Sequence, residues 1–545
     1  MKNRWLLPYL LLVLHALLFG AWIVDDAGIS FSYARSLASG YGLVSQPGLP
    51  PVEGFSNFLW TVGLAPLFLV RLFHPVYTPK LISLALLAGS FFLLDRSLLA
   101  LTNSRAVCRV ALLLLAVCTP FVAWTVSGLE NPLYVLLLSL LLWLIVRERD
   151  GGGWPRSYPI AAGAVAAGIA MTRPDGAVFA ALYPLLTVAL RRSGALGRLL
   201  RYGAALALLL GGFLLFRWTW FGQLFPNTYF AKGGPSPEAY VDLLTLQPPM
   251  MGKVFDLFES VAGRGNVLLL AGLAAGTAYL IGARRFRWGH LVLLAFACLG
   301  AAPYLLLPHD WMPEFRFATP FFPFLYAYGV ALAASLGEGL SAERRRLPAL
   351  AGGLAAVGLS LALFAPRTVL FAAAPTVPFD EVIWKFGLRY NHFADVLGLR
   401  QGSILLPDVG GTLWTSRLRV YDLAGLTDPV IARTLDKAPE AFYDYIFEHA
   451  KPTFIHTHHY WTLKAGFDYD PRFFRDYVPL FDFVEPAVVQ RARGDRLRSG
   501  DFVRRDAIAG KDAAVARIRA ELVEYYEESR PELERRGSKA MEAME

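Results

Sequence analysis

Two adjacent carboxylates, Asp25 and Asp26, stand where the first apolar run ends, in WIVDDAGISFSYARSLASGYGLV. A charge at a membrane boundary is costly unless hydrated or paired, so acids placed there point to a function. One carboxylate suffices to take the proton of an attacking hydroxyl, and a neighbour can orient it. A simpler use also exists, because Asp here could cap an interfacial helix running to about Ala38. Two adjacent acids exceed what a cap needs. Glu130 in SGLENP is a third acid, suited to holding hydroxyls or a cation, or to a helix N-terminus beside Pro132. Arg173 in TRPDG, Lys232 in LFPNTYFAK and Arg316 in DWMPEFRFATP suit a phosphate, the arginines through a planar fork that binds two oxygens at once. Their structural alternatives are a tight-turn pair of Arg173 with Asp175 and snorkelling of the long side chains.

His456, His458 and His459 in FIHTHHYW match no strong metal spacing. Alternation along a strand puts His456 and His458 on one side and His459 on the other, so no metal ligand set is assigned. A divalent ion is possible but not indicated. The stretch PDVGGTLWTSRLRVYDLAGLTDP carries Asp408 and Asp422 near glycine-rich turns. It reads as two strands whose loop approaches a ligand or the membrane-embedded part, or as glycines that merely turn the chain.

The elements that must position these residues are mostly membrane helices. The chain has 545 residues, 55% of them hydrophobic, and a mean hydropathy of +0.43. That is too apolar for a soluble domain, where the apolar share is about 45–50%. Its net charge of +9 comes from arginines in pairs and triplets between apolar runs, a pattern of membrane topology rather than nucleic-acid binding. Cys108, Cys118 and Cys298 all lie in or beside apolar runs, so no disulfide or zinc framework is expected. The first run follows Lys2 and Arg4 like a signal peptide but lacks a small-residue cleavage site, and it reads as a retained helix.

Runs near the roughly 20 residues that cross a bilayer fall at about 5–24, 79–100, 107–125, 131–147, 158–172, 176–190, 200–220, 265–282, 289–307, 317–336 and 347–365. A further run, 57–73, is ambiguous. If it spanned, the arginines at 191, 192, 198 and 201 and at 284, 285 and 287 would lie outside the cell, against the positive-inside rule. If it is interfacial or re-entrant, about eleven helices span and the arginine clusters face the cytoplasm. That count puts Asp25–Asp26, SGLEN, TRPD, PNTY with Lys232, and HDWM through Arg316 on one outer face. From about residue 366 to 506 hydropathy falls and short strand-like runs alternate with helical ones, as in a separate extracytoplasmic α/β domain. Residues 507–545 read as a charged, solvated terminal helix or frayed tail.

Taken in order, DDAGISFSYARSLASGYGLV, PVEGFSNFLW, SGLENP, TRPDG, LFPNTYFAK, DWMPEFRFATP and YDLAGLTDP resemble the bacterial GT-C glycosyltransferases related to the mycobacterial terminal β-1,2-arabinofuranosyltransferase. The resemblance covers most of residues 1–430. It implies a GT-C fold over residues 1–365, a polyprenyl-phosphate sugar donor such as decaprenylphosphoryl-arabinofuranose, and inverting transfer to a cell-envelope glycan or other acceptor on the outer face of the bacterial inner membrane. In that pattern the acid ending the first helix is the catalytic base, here Asp25 or Asp26, with Asp25 favoured as the first acid. Arg173, Lys232 and Arg316 are expected at the donor phosphate. Glu130, Asn227, Tyr229, His309, Asp310, Trp311 and Asp422 are expected at the substrates. Trp414, Tyr460 and Trp461 offer stacking surfaces for a glycan. Gly28 and Phe55 stand where the family carries a larger residue and Tyr. A transporter or flippase is the rival, but such proteins place polar groups near the bilayer midplane, whereas these cluster at one face; a structural envelope subunit is the other.

Overall fold

The computed structural model describes residues 3–150, 157–189, 194–234, 236–308, 310–339, 342–492 and 497–543. His309, Lys2, Arg191 and Arg192 lie outside the described residues. Among those described, six helices are long and apolar enough to cross a membrane: Tyr77–Thr102, Asn131–Glu148, Ala195–Phe221, Pro248–Gly282, Trp288–Leu306 and Ala351–Ala373. Arg105–Val117 and Thr119–Thr125 form a seventh if counted as one span bent by 70°. The bend falls at Cys118, whose extended backbone leads into Thr119–Pro120. Proline has no amide hydrogen with which to carry the helix ladder through such a point. The four other expected runs form shorter apolar helices, Leu6–Leu17, Ser157–Thr172, Pro174–Ala189 and Phe321–Leu336. The helix Pro248–Ala262, joined to the run at 265–282, was not foreseen from hydropathy.

Helices of the lipid-facing rim are apolar all round. Ala195–Phe221 exposes Leu208, Leu215 and Trp218, which suits a surface covered by hydrocarbon rather than water. Its inner face meets the small-residue helix Ser157–Thr172 closely. A Cβ at Gly163 would fall 2.3 Å from the Tyr202 carbonyl oxygen, so only glycine permits this approach.

The ambiguous run at 57–73 forms the helix Phe58–Leu69, whose 12 residues rise about 18 Å, short of the roughly 30 Å of hydrocarbon. Asn57 before it reaches Glu130, and Phe73 beyond it packs on Phe31 and Trp414. Both ends therefore stay on one side. The Val24 amide also donates to the Ser127 carbonyl at 3.0 Å, which an even number of crossings between these residues allows and an odd number forbids.

The last spanning helix passes Pro366 and ends at Ala373, so the C-terminal domain begins about eight residues later than its sequence boundary suggested. It starts against the first helix, where Val24 pairs with Pro378 and the Phe379 amide donates to the Ile23 carbonyl at 2.8 Å. The domain holds a five-stranded sheet of β1 (Ser403–Leu406), β2 (Arg419–Asp422), β3 (Phe454–Thr457), β4 (Tyr477–Phe483) and β5 (Ser499–Arg504), ordered β2-β1-β3-β5-β4. β2, β1 and β3 run parallel; β5 pairs antiparallel with β3 and β4. The helix Asp512–Ala543 is no free tail, because Val515, Ile518, Leu522 and Tyr526 form a buried stripe at helical spacing. Tyr526 stacks on Phe481 with ring centroids 4.4 Å apart.

Candidate functional site

A cavity of about 720 Å³ lies between the membrane-embedded helices and the C-terminal domain, with Asp25, Asp26, Glu130, Arg173, Lys232, Asp310 and Arg316 in its wall. These residues come from segments dispersed over nearly three hundred positions. Both aspartates open the helix Asp25–Ala38, but they engage different parts of the molecule. The Asp25 carboxylate accepts the Gly410 amide at 2.9 Å and the Gly411 amide at 2.6 Å, at the start of the short helix Gly410–Thr415. Such close docking requires glycines: a Cβ at Gly410 would lie 1.8 Å from the Asp25 carbonyl oxygen, and one at Gly28 2.6 Å from the Gly410 carbonyl carbon. Gly28, one of the two positions that differ from the pattern the sequence resembles, thus admits the loop of the C-terminal domain. Burial, and after it the charge of Asp408, push the Asp25 carboxyl well above its usual range.

Asp26 faces the cavity with a quarter of its side chain exposed. Arg316 donates to it at 3.0 Å, and the Lys232 ammonium lies 3.8 Å away. Burial works to raise its proton affinity, but Lys232 and Arg316 outweigh this and hold the carboxyl below its usual range. Arg316 also forks onto Asp310 at 2.7 and 3.2 Å. Arg173 is shared between Glu130 at 2.9 Å and Asp175 at 3.1 Å, and Asn57 donates to Glu130 at 2.9 Å. Both arginines are buried and carboxylate-bound, whereas Lys232 is nearly half exposed. The turn pair of Arg173 and Asp175 and the cavity position of Arg173 therefore coexist.

Tyr229, stacked on Phe225 with centroids 4.9 Å apart, lines the cavity, as does Trp311. Two expected substrate contacts are placed differently. Asn227 is buried and donates to the carbonyls of Gly425 and Leu426 at 2.7 and 2.9 Å, tying its loop to the C-terminal domain. Asp422 is fully buried and accepts from the Thr427 amide at 2.7 Å and the Thr427 hydroxyl at 3.2 Å. The Asn227 amide and the Asp422 Oδ2 thus hold the turn YDLAGLTDP behind the wall, while Asp422 Oδ1 is buried without a hydrogen-bond partner among the described residues. Trp414 is likewise taken up by packing, with the Arg35 guanidinium 4.3 Å over its ring, while Tyr460 and Trp461 line the cavity.

The three histidines do not converge. His456 faces Asp501 at 3.0 Å, His458 faces Asp408 at 2.7 Å, and His459 faces Glu485. Among the described residues no three acid, histidine or cysteine side chains form a group suited to a metal ion. Sequence reading passed over the Asp408–His458 pair and the Gly410–Gly411 amides that bind Asp25. The glycine-rich run around Asp408 was the one local signal of either.

No protein-family model matches the sequence, and none of the curated proteins matches it. Solved structures do resemble it. The oligosaccharyltransferase of Archaeoglobus fulgidus, crystallised with zinc and sulfate, matches over 87% of this chain and 72% of its own at 13% identity, with a TM-score of 0.53. The same oligosaccharyltransferase tethered to an acceptor peptide matches at 12% identity over 89% of this chain and 73% of its own, with a TM-score of 0.52. ArnT from Cupriavidus metallidurans bound to undecaprenyl phosphate matches over 92% of this chain and 98% of its own, at 13% identity and a TM-score of 0.53. At such identity the likeness shows the fold: a GT-C membrane domain followed by a soluble domain.

Proposed function

We propose that this chain is an integral-membrane glycosyltransferase that moves a sugar from a polyprenyl-phosphate donor to a glycan acceptor on the outer face of the bacterial inner membrane. The observation that carries this reading is the division between two neighbouring aspartates. Asp26 lies among cations, Lys232 and Arg316, and Asp25 lies against the C-terminal wall. A donor phosphate would draw Lys232 and Arg316 toward itself, as fits their chemistry. Asp25, whose carboxyl is pushed up while that of Asp26 is held down, is the better base of the two, because the more basic carboxylate takes a proton more readily. The acceptor oxygen then attacks the anomeric carbon and its proton passes to Asp25. The bond from that carbon to the phosphate oxygen breaks, and the polyprenyl phosphate leaves with the electron pair. With the base held by the C-terminal domain and the leaving phosphate met by Lys232 and Arg316, the proposed course is single displacement with inversion. ArnT, of like fold, is described with undecaprenyl phosphate bound, which supports a lipid-linked donor. Sequence resemblance favours arabinofuranose as the sugar, and Tyr460 and Trp461 supply apolar faces for a glycan.

Purified protein supplied with a synthetic polyprenyl-phosphate arabinofuranose and an envelope-glycan acceptor should form a new glycosidic linkage, with other sugars as competitors. Asp25→Asn should lower turnover by roughly 10²–10⁴. Near-parental turnover in both Asp25→Asn and Asp26→Asn would sink the catalytic assignment. Movement of lipid-linked sugar across vesicles without a new linkage would favour a flippase instead.

A further inference from the structure

The cavity wall also holds Asp408, which the reaction as proposed leaves without a task and which is paired with a histidine, where Glu130, Asp175 and Asp310 are paired with arginines. It lies between β1 and the helix Gly410–Thr415, two residues before the glycine whose amide binds Asp25. It lines the cavity with 18% of its side chain exposed. Behind it, His458 Nε2 is 2.7 Å from Oδ2, and the imidazole lies parallel to the Phe386 ring at 6.3 Å. That contact fixes the ring, and the ring fixes the carboxylate.

We propose that Asp408, oriented by His458, is a positioning residue that accepts a hydrogen bond from a hydroxyl of the acceptor glycan while Asp25 takes the proton of the attacking hydroxyl. The proposal rests on the glycosyl-transfer reading above and assigns the acceptor side of the cavity to the C-terminal domain. Asp408 also stands close enough to Asp25 for its charge to favour the protonated form there. The groups around the pair are few and named. Asp26 acts on Asp25 from its own helix; Glu485 and Lys385 act on His458, His456 and His459 act on Asp408, and the His456 and His459 rings lie 5.3 and 5.0 Å from that of His458. Burial works against charge on His458 and Asp408, but each holds the other charged, the imidazole above its usual range and the carboxyl below.

Asp408→Asn in the purified full chain should raise the acceptor KM roughly tenfold or more, the effect of losing a hydrogen bond to a charged group, and leave the donor KM unchanged. The acid limb of kcat/KM should move to lower pH, because removing a neighbouring negative charge makes Asp25 easier to ionise. His458→Leu should reproduce the rise, and His458→Gln, which keeps an N–H donor but not the charge, should raise the acceptor KM less than His458→Leu. An unchanged acceptor KM in both Asp408→Asn and His458→Leu would overturn the proposal. A second readout needs no turnover: the infrared protonated-carboxyl band that disappears in Asp25→Asn should titrate at lower pH in Asp408→Asn. A midpoint that stays in place or rises would also overturn it. A parent that transfers no sugar would refute the glycosyl-transfer reading, and the infrared arm would still judge this one.

Discussion

Lys232 and Arg316 hold the same carboxylate, yet they should respond oppositely to neutralisation. Lys232 is 46% exposed and its contact with Asp26 is loose at 3.8 Å, so an isosteric change there should alter stability by no more than about 0.5 kcal/mol. Lys232→Gln should therefore leave the melting temperature unmoved while the donor KM rises roughly tenfold, read from initial rates at saturating acceptor. Arg316 is buried between Asp26 and Asp310. Arg316→Gln would strand Asp310 and leave Asp26 to Lys232 alone, a loss of about 3–5 kcal/mol for breaking a buried pair. Its donor role is best judged through Lys232. The sequence announced both residues by type and by their place at helix ends. It did not announce their partners, since Asp26 and Arg316 meet across 290 positions and no local pattern records such a meeting.

At the scale of elements, one contact decides whether the site exists: the docking of the helix Gly410–Thr415 on the start of the helix Asp25–Ala38. Gly410→Ala would force a Cβ to 1.8 Å from the Asp25 carbonyl oxygen, which backbone cannot yield to without separating the two parts. Limited proteolysis should then cut between Ala374 and Phe379, and sugar transfer should be lost. Gly252→Ala, where a Cβ meets nothing within 4 Å, is the control and should be silent. The docking also changes how Asp25→Asn must be read. Asn can accept only one of the two glycine amides, so a lower melting temperature is expected beside the lost turnover.

The C-terminal domain carries its own acid sensitivity. Burial works to raise the Asp501 carboxyl, but Arg389 and His456 outweigh it and hold the carboxyl well below the usual range; His459 and Ser499, again against burial, hold Glu485 down at about 2. Carboxyls depressed in the folded state stabilise it above their unfolded values and lose that contribution as pH falls toward their folded ones. The melting temperature of this domain should fall as pH drops from 4.5 toward about 2. Asp501→Asn should lower it at neutral pH and flatten the acid slope. Differential scanning calorimetry across that range is the check.

For the whole molecule, the spacing of apolar runs and arginines carried the fold far. All eleven runs became apolar helices, and Phe58–Leu69 kept both ends on one side. What local hydropathy did not carry was the continuation of the last span through Pro366, because a proline and Arg367 resemble the end of a helix. In the fold, Arg367 is bound by Glu314 at 2.7 Å and by the Ser260 carbonyl at 3.1 Å, so its charge is met inside the protein. Asn227 and Asp422 show a complementary ambiguity: polar residues beside turns serve substrates and turns equally well, and here both bond the turn YDLAGLTDP. The remaining question for the molecule is orientation, and the arginines argue it. Arg105 and Arg109 begin the first half of the bent span, and Arg284, Arg285 and Arg287 join two spans. These stand at helix ends away from the cavity segments, so the proposed outward-facing cavity and sheet agree with the positive-inside rule. A reporter active only in the cytoplasm should accordingly be silent when fused after residue 545 and active when inserted between Gly282 and Trp288, provided the insertion leaves the protein in the membrane. Strong activity from the C-terminal fusion would place the cavity on the cytoplasmic face, where an acceptor of the cell envelope could not reach Asp25.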